Sequence, residues 1–329
     1  MELNLSSYIA IFLLSAVVVV FAAITLGKAG DAIASNTGLG HLWVGLLLIA
    51  GATSLPELVT TVTAVNLDSP GLAVGTIMGA NMLNVAKLSL IAAVFGGPLL
   101  YQRLSKGQEL LSIEALGLTA LATLFIAIGW GAEFMGITLA AIVILAAYLF
   151  GSRVLYTTSI GDPAPAAKEP AHSLRWGWTM YLIAALIITI SATILTISAV
   201  EIAEQTGIAA SFVGVLAVAF VTTVPELTVG ITLMRIGAPE MAVAEFHGSN
   251  AFNIAILAVA DFAFIEGSLL GDLDDSVLLA GVFAVLLVGM SALQIRLRRR
   301  MKHFSLTEPS TFSFLTLYLG GLYLVFQAG

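Results

Sequence analysis

Apolar residues along this chain come in blocks of about twenty, the length a helix needs to cross a hydrocarbon layer, and polar residues gather between the blocks. The pattern predicts spans near 8–27, 43–65, 72–95, 108–129, 135–151, 178–200, 211–234, 241–263, 276–295 and 311–327. Connections are short except from Ser152 to Arg175. There Asp162-Pro163-Ala164-Pro165 and Lys168-Glu169-Pro170 cannot continue a helix and carry too little apolar surface to fold alone. The expected organisation is therefore five spans in residues 1–151, a cytoplasmic linker at 152–176, and five spans in residues 177–329.

Composition agrees with a chain immersed in lipid. Hydrophobic residues make up 59% and charged residues 10%, and the mean hydropathy is +1.03, far from the averages of soluble domains. The absence of cysteine excludes disulfide frameworks, thiolate metal sites and cysteine nucleophiles. The first apolar run, Tyr8 to Leu26, has no basic flank ahead of it and no clear cleavage site, so it reads as a span.

The net charge of −7 matters less than its sidedness, because cytoplasmic loops retain Lys and Arg. In the ten-span arrangement Lys28, Arg103, Lys106, Arg153, Lys168, Arg175, Arg235, Arg296, Arg298, Arg299, Arg300 and Lys302 all fall on one face. The opposite face carries Asp68, Glu133, Glu201, Glu204, Glu266, Asp272, Asp274 and Asp275 with no basic residue. Both termini are predicted outside. The Arg296-to-Lys302 cluster fixes orientation, with contact to anionic lipid as a second role.

The chain repeats itself. Thr53-Ser54-Leu55-Pro56-Glu57-Leu58 in the second span returns as Thr222-Thr223-Val224-Pro225-Glu226-Leu227 in the seventh. Gly79-Ala80-Asn81-Met82-Leu83-Asn84 returns as Gly248-Ser249-Asn250-Ala251-Phe252-Asn253. The spacing is a constant 169 positions from Glu57 to Glu226, Asn81 to Asn250 and Asn84 to Asn253. Five spans separate equivalent positions, so the copies enter the membrane from opposite sides, as in secondary transporters built from inverted repeats.

A proline within a span removes a backbone hydrogen bond and frees carbonyls. Such a break persists in hydrocarbon only where the freed groups face protein, a cavity or an ion. Beside each break stands a carboxylate, Glu57 or Glu226, at a depth where an ionised group is costly. Something cationic is needed. Calcium takes about six to eight oxygens, and the repeated motifs supply that chemistry. Glu57 and Glu226 bring charge, Thr53, Ser54, Thr222, Thr223 and Ser249 bring hydroxyl or carbonyl oxygens, and Asn84 and Asn253 bring amide oxygens. No histidine or sulfur ligand lies in the repeated motif, which argues against zinc or copper.

These motifs resemble the two α-repeats of the sodium/calcium exchangers within the calcium/cation antiporter superfamily, which carry Thr-Ser-x-Pro-Glu followed by Gly-Ser-Asn-x-x-Asn/Asp. The resemblance implies an all-α membrane protein of ten transmembrane helices in two inverted five-helix repeats, with helices broken at the midplane. It implies alternating access, with Glu57 and Glu226 shared between calcium and sodium and Thr53 and Thr222 contributing to the central site. Ala50, Ser54, Ala219, Thr223 and Ser249 would surround flanking sodium sites, and Asn84 and Asn253 would complete the middle. The sliding of the first and sixth spans past the broken-helix core is likewise implied by the resemblance.

The chain departs from that pattern in places. Ala80 stands where the first repeat usually has serine, Ala244-Glu245 replaces the usual Gly-Asn, and Asn253 stands where some members have aspartate. Lys87 follows Asn84 by one helical turn. It pairs with Glu245, snorkels toward the cytoplasmic interface, or acts as a fixed cation in place of one sodium. Glu245 and His247 are candidates for a gating or proton-linked role. Asp261, near the outer end of its span, is expected at the interface, and the glycines within spans are expected to serve close packing.

The expected function is exchange of Ca2+ for Na+ by a multi-pass protein of a prokaryotic plasma membrane. Proton-coupled exchange of calcium or another divalent such as magnesium is the alternative, and a passive cation channel ranks below both. No enzyme is expected, because no nucleophile, base and orienting partner recur as a unit. The expected partners are membrane lipid and small cations acting on a monomer, with no cofactor and no nucleic acid.

Overall fold

The computed structural model describes residues 4–37, 53–95, 104, 106–134, 137–159, 172–235, 239–264, 267–300 and 311–329. Ala50, the first part of the predicted second span, most of the linker and Arg103, Lys168 and Lys302 lie outside the described residues. In chain order the helices are α1 (Leu5–Thr37), α2 (Leu55–Asn66), α3 (Pro70–Phe95), α4 (Lys106–Ile128), α5 (Leu139–Ser159) and α6 (Leu174–Thr206). They continue with α7 (Ala210–Thr222), α8 (Val224–Arg235), α9 (Pro239–Asp261), α10 (Asp275–Arg300) and α11 (Thr311–Ala328). A two-residue ladder, β1 (Glu133–Phe134) with β2 (Ile137–Thr138), is the one departure from an all-helical fold among the described residues.

Among the described residues seven helices, α1, α3, α4, α5, α6, α10 and α11, are long and apolar enough to cross a membrane. The bent pair α7 and α8 makes an eighth candidate. The predicted span at 43–65 reaches the described residues only as α2. The span at 241–263 is α9, whose 23 residues are long enough to cross but include the buried His247, Asn250 and Asn253 and the half-buried Glu245.

Three of the predicted spans that the structure lengthens show why it does so. α1 and α6 each run 33 residues; no proline follows Leu26 in α1, and the helix runs on through Gly27 and Gly30. α6 starts where the Ser173 hydroxyl accepts from the Trp176 N–H and stops at Gly207, whose φ of 69° closes the helix. The third is α5. It begins after the β ladder at Leu139, later than the predicted 135, and runs on to Ser159 into the predicted linker. Residues 152–159 contain neither glycine nor proline, so nothing ends the helix before Gly161-Asp162-Pro163.

α1 packs along α6 more extensively than any other pair. The two run antiparallel, with the Asn36 amide donating to the His172 carbonyl at 2.8 Å. Gly177 brings α6 against Ala29 and Ile33 of α1. The outer faces of the pair are exposed and apolar, with Leu13, Leu14, Phe21, Leu182, Leu186 and Ile190 outward. That surface suits acyl chains.

α3 is the centre of the molecule. Every residue from Leu72 to Ser89 is buried, as expected of a helix apolar nearly all round. Two glycines let α7 approach closely. A Cβ at Gly79 would lie 2.6 Å from the Val215 Cα, and Gly75 is pressed in the same way against the Ser211 backbone. Opposite them α7 carries a π-helical turn at Gly214–Val218. At the C-terminal end of α9, Asp261 is buried, not interfacial as its place in the sequence suggested. It accepts from the Thr138 hydroxyl and, at 2.7 Å, from the Leu269 N–H, which pins the β2 turn to the loop after α9.

Candidate cation site

Two helix starts define the site. Ser54 precedes α2 with φ −91° and ψ 7°, and Thr223 separates α7 from α8 with φ −88° and ψ 7°. The repeated sequence thus gives one backbone twice, in the bridge region common at functional sites. After each comes a proline at the second helical position and then the glutamate, Pro56-Glu57 and Pro225-Glu226. Pro225 has no N–H to offer the Val221 carbonyl, and the axis bends by 43° between α7 and α8. Both carboxylates sit in the first turn, where free backbone N–H groups and the helix dipole favour negative charge.

Glu57 and Glu226 are fully buried and near enough to interact electrostatically. Neither faces acyl chains. All four of their carboxylate oxygens lack a hydrogen-bond partner among the described residues. The Thr222 side chain is the polar group nearest in effect to Glu57, but it does not close a hydrogen bond of standard geometry. Buried polar atoms in folded proteins are nearly always paired, and a bare buried carboxylate is costly. Asn84 Oδ1, Asn253 Oδ1, Ser54 Oγ and Ser249 Oγ are buried and unpaired as well. The two glutamates and two asparagines form equivalent pairs under the 169-position repeat.

α3 and α9 are joined by a reciprocal amide network. The Asn81 amide donates to the Asn250 carbonyl at 3.1 Å, and the Asn250 amide donates to the Asn81 carbonyl at 3.4 Å. The Asn84 amide donates to Asn250 Oδ1 at 3.0 Å, and the Asn253 amide donates to Asn81 Oδ1 at 3.0 Å. Exchanging the two repeats maps this pattern onto itself. Its consequence is orientation. With their NH2 groups committed, Asn84 and Asn253 keep their Oδ1 atoms free. Sequence reasoning singled out Asn84 and Asn253 but gave no role to Asn81 and Asn250, nor to Thr119, whose hydroxyl accepts from the Asn81 amide at 3.3 Å. The signal was present, since Asn81 and Asn250 recur at the same offset.

The departures from the repeat also meet here. Lys87 donates to the Thr223 carbonyl at 2.7 Å and to the Thr223 hydroxyl, and its ammonium lies 5.8 Å from the Phe220 ring centre. It is buried, so it does not snorkel. It also makes no ion pair with Glu245, for the ion pair found among the described residues joins Arg296 to Glu109 at 3.8 Å. Glu226, and then Glu57, are the charges that act on it. The Thr223 hydroxyl donates in turn to the Ala219 carbonyl at 2.6 Å. Glu245 is half-buried and accepts from the Thr53 hydroxyl at 3.3 Å. Its charge is felt at Glu226.

His247 points elsewhere. Its Nδ1 contacts the Val243 carbonyl at 3.0 Å and its Nε2 contacts the Ser291 hydroxyl of α10 at 3.1 Å, so it ties α9 to α10 and does not face the carboxylates. Among the described residues no three His, Cys, Asp or Glu side chains gather as a metal cluster. The free oxygens are two carboxylates supplemented by amides and hydroxyls, a hard-ligand set suited to calcium or alkali cations.

Comparison with known proteins adds family and fold. CaxA of Alkalimonas amylolytica is 25% identical over 330 residues, covering 96% of this chain and 98% of that protein. The inner membrane protein YrbG of Escherichia coli (strain K12) is 26% identical over 253 residues, 75% of this chain and 77% of that one. Among solved structures, the sodium-calcium exchanger NCX_Mj superposes with a TM-score of 0.62 at 19% identity, covering 97% of this chain and 99% of that chain. The H+/Ca2+ exchanger CAX superposes with a TM-score of 0.71 at 15% identity, over 98% and 87%. The sequence signature of the sodium/calcium exchanger protein family matches residues 7–156 and 176–328. On that match, which takes in both repeats and nearly the whole chain, this multi-pass membrane protein belongs to the sodium/calcium exchanger family.

Proposed function

We propose that the chain is a secondary antiporter that exchanges calcium for sodium by alternating access through the site between the two repeats. One observation carries this reading: among the described residues, eight buried oxygens, four from Glu57 and Glu226 and one each from Asn84, Asn253, Ser54 and Ser249, lack partners. A bare cluster of this kind is stabilised by a cation. Glu57 and Glu226 supply the charge for one calcium or two sodium ions. Thr53, Thr222, Asn84 and Asn253 complete the central position, while Ser54, Ser249, Thr223 and the carbonyls of Ala50 and Ala219 border the flanking ones. The two halves, residues 1–151 and 177–329, insert in opposite senses as ten spans with both termini outside, joined by the cytoplasmic linker 152–176. The self-mapping asparagine network and the matched backbone at Ser54 and Thr223 support this relation. The antiparallel α1 and α6 pair, apolar outside and packed on itself, suits a unit that slides against the rest.

A second reading, proton-coupled calcium exchange, is favoured by one specific observation. Glu245 adds a third, half-buried carboxylate that acts on Glu226, and carboxylates can carry protons as well as coordinate ions. Purified protein in proteoliposomes separates the two. Sodium coupling predicts calcium flux driven by a sodium gradient at equal pH. Proton coupling predicts flux driven by a pH gradient without sodium. Calcium flux with neither gradient would identify a passive channel.

A further inference from the structure

The two halves of the site are equivalent in backbone but not in occupancy. Thr223 in the second repeat corresponds to Ser54 in the first. Ser54 Oγ is buried and unpaired. The Thr223 carbonyl and hydroxyl are both taken by the Lys87 ammonium. Ile256 stands at the position equivalent to Lys87, so the first half has no such donor from the repeat. The second asymmetry is Glu245, whose counterpart in the first repeat is the neutral Thr76.

Resting on the exchanger reading above, we infer that Lys87 is a resident cation, seated on the Thr223 oxygens that a transported monovalent ion would otherwise use. The ammonium supplies hydrogen bonds where such an ion would supply coordination, and it does not leave with the cargo. Glu245 balances it. Three ionised carboxylates, Glu57, Glu226 and Glu245, against one ammonium leave room for two mobile positive charges: one calcium, or two monovalent cations. A further monovalent ion would have to rest on neutral oxygens, and Lys87 has claimed those of Thr223. The exchange is therefore electroneutral, two monovalent cations against one calcium.

The test is the voltage dependence of calcium accumulation in proteoliposomes, with the potential set by potassium and valinomycin. If one net charge moved per cycle, 100 mV would shift the equilibrium accumulation ratio by about 50-fold. The unaltered protein is expected to show no shift. The double variant K87M/E245Q keeps the capacity for two charges and returns the Thr223 oxygens to solvent ions. Its accumulation ratio is expected to become voltage-dependent and its sodium dependence steeper. Calcium exchange by the unaltered protein with a 50-fold shift per 100 mV overturns the inference and leaves the exchanger reading intact, and that measurement stands even if the variant does not fold. A folded variant with unchanged sodium dependence and voltage response also overturns it. No calcium exchange under any gradient overturns the exchanger reading and this inference together.

Discussion

Asn81 and Asn250 each donate a side-chain amide to the other's backbone carbonyl, at 3.1 and 3.4 Å, across the contact between α3 and α9. Each lies fully buried in the middle of its helix. The pair therefore acts as a clasp between the two halves, and it fixes the Asn84 and Asn253 amides. Replacing Asn81 with leucine strands the Asn253 amide, which loses the Oδ1 it donates to, and takes from the Asn250 carbonyl the donor it accepts from. The expected loss is about 1–3 kcal/mol per stranded group, seen as a lower unfolding temperature in detergent. In the double variant N81L/N250L the two losses should not add, because both break one network.

A Cβ at Gly79 would meet the Val215 backbone, which cannot yield as the end of a flexible side chain could. Gly79→Ala should separate α3 from α7 and lower stability by about 1–3 kcal/mol, the usual cost of overpacking. Gly248, its equivalent in the second repeat, has open space around the same position. Gly248→Ala should therefore be nearly neutral in the same thermal assay.

Glu245 and Thr53 form a direct link between α9 and the start of the α2 segment, at 3.3 Å. Thr53→Val removes the donor and leaves the Glu245 carboxylate with one hydrogen bond fewer. Calcium affinity should fall, since Thr53 borders the central position, while Glu245→Gln should leave calcium binding measurable and alter the monovalent dependence of flux. Equal loss of calcium binding in both variants would show that Glu245 is itself a calcium ligand.

His247 is held between Val243 and Ser291, away from the carboxylates. His247→Gln, which keeps hydrogen-bonding capacity, should leave the pH profile of calcium flux unchanged. His247→Leu should lower thermal stability, because it leaves the Ser291 hydroxyl without its partner. A displaced pH profile in His247→Gln would restore the gating role considered from the sequence.

Much of this was legible in the residues because the repeat is written twice. Thr-Ser/Thr-x-Pro-Glu and Gly-x-Asn-x-x-Asn at one fixed offset pointed to the paired breaks, and the paired breaks carry the paired carboxylates. What was not legible followed from contacts between distant segments. Lys87 had three open roles because helical spacing gives only its face, whereas its partner, Thr223, comes from the other half of the chain. His247 turned away because α10 offers Ser291, and Asp261 was buried because the β2 turn and the loop after α9 fold over it. Helix ends were missed where hydropathy fades but nothing stops the helix, as in α5 past residue 151.

The account rests on Glu57 and Glu226 jointly holding the transported metal. Calcium flux into proteoliposomes by the variant E57Q/E226Q, set against the unaltered protein at equal reconstitution and equal folding, tests it most directly. The prediction is loss of flux to the level of empty vesicles, whichever monovalent gradient drives it. Flux retained in the double variant would contradict the assignment.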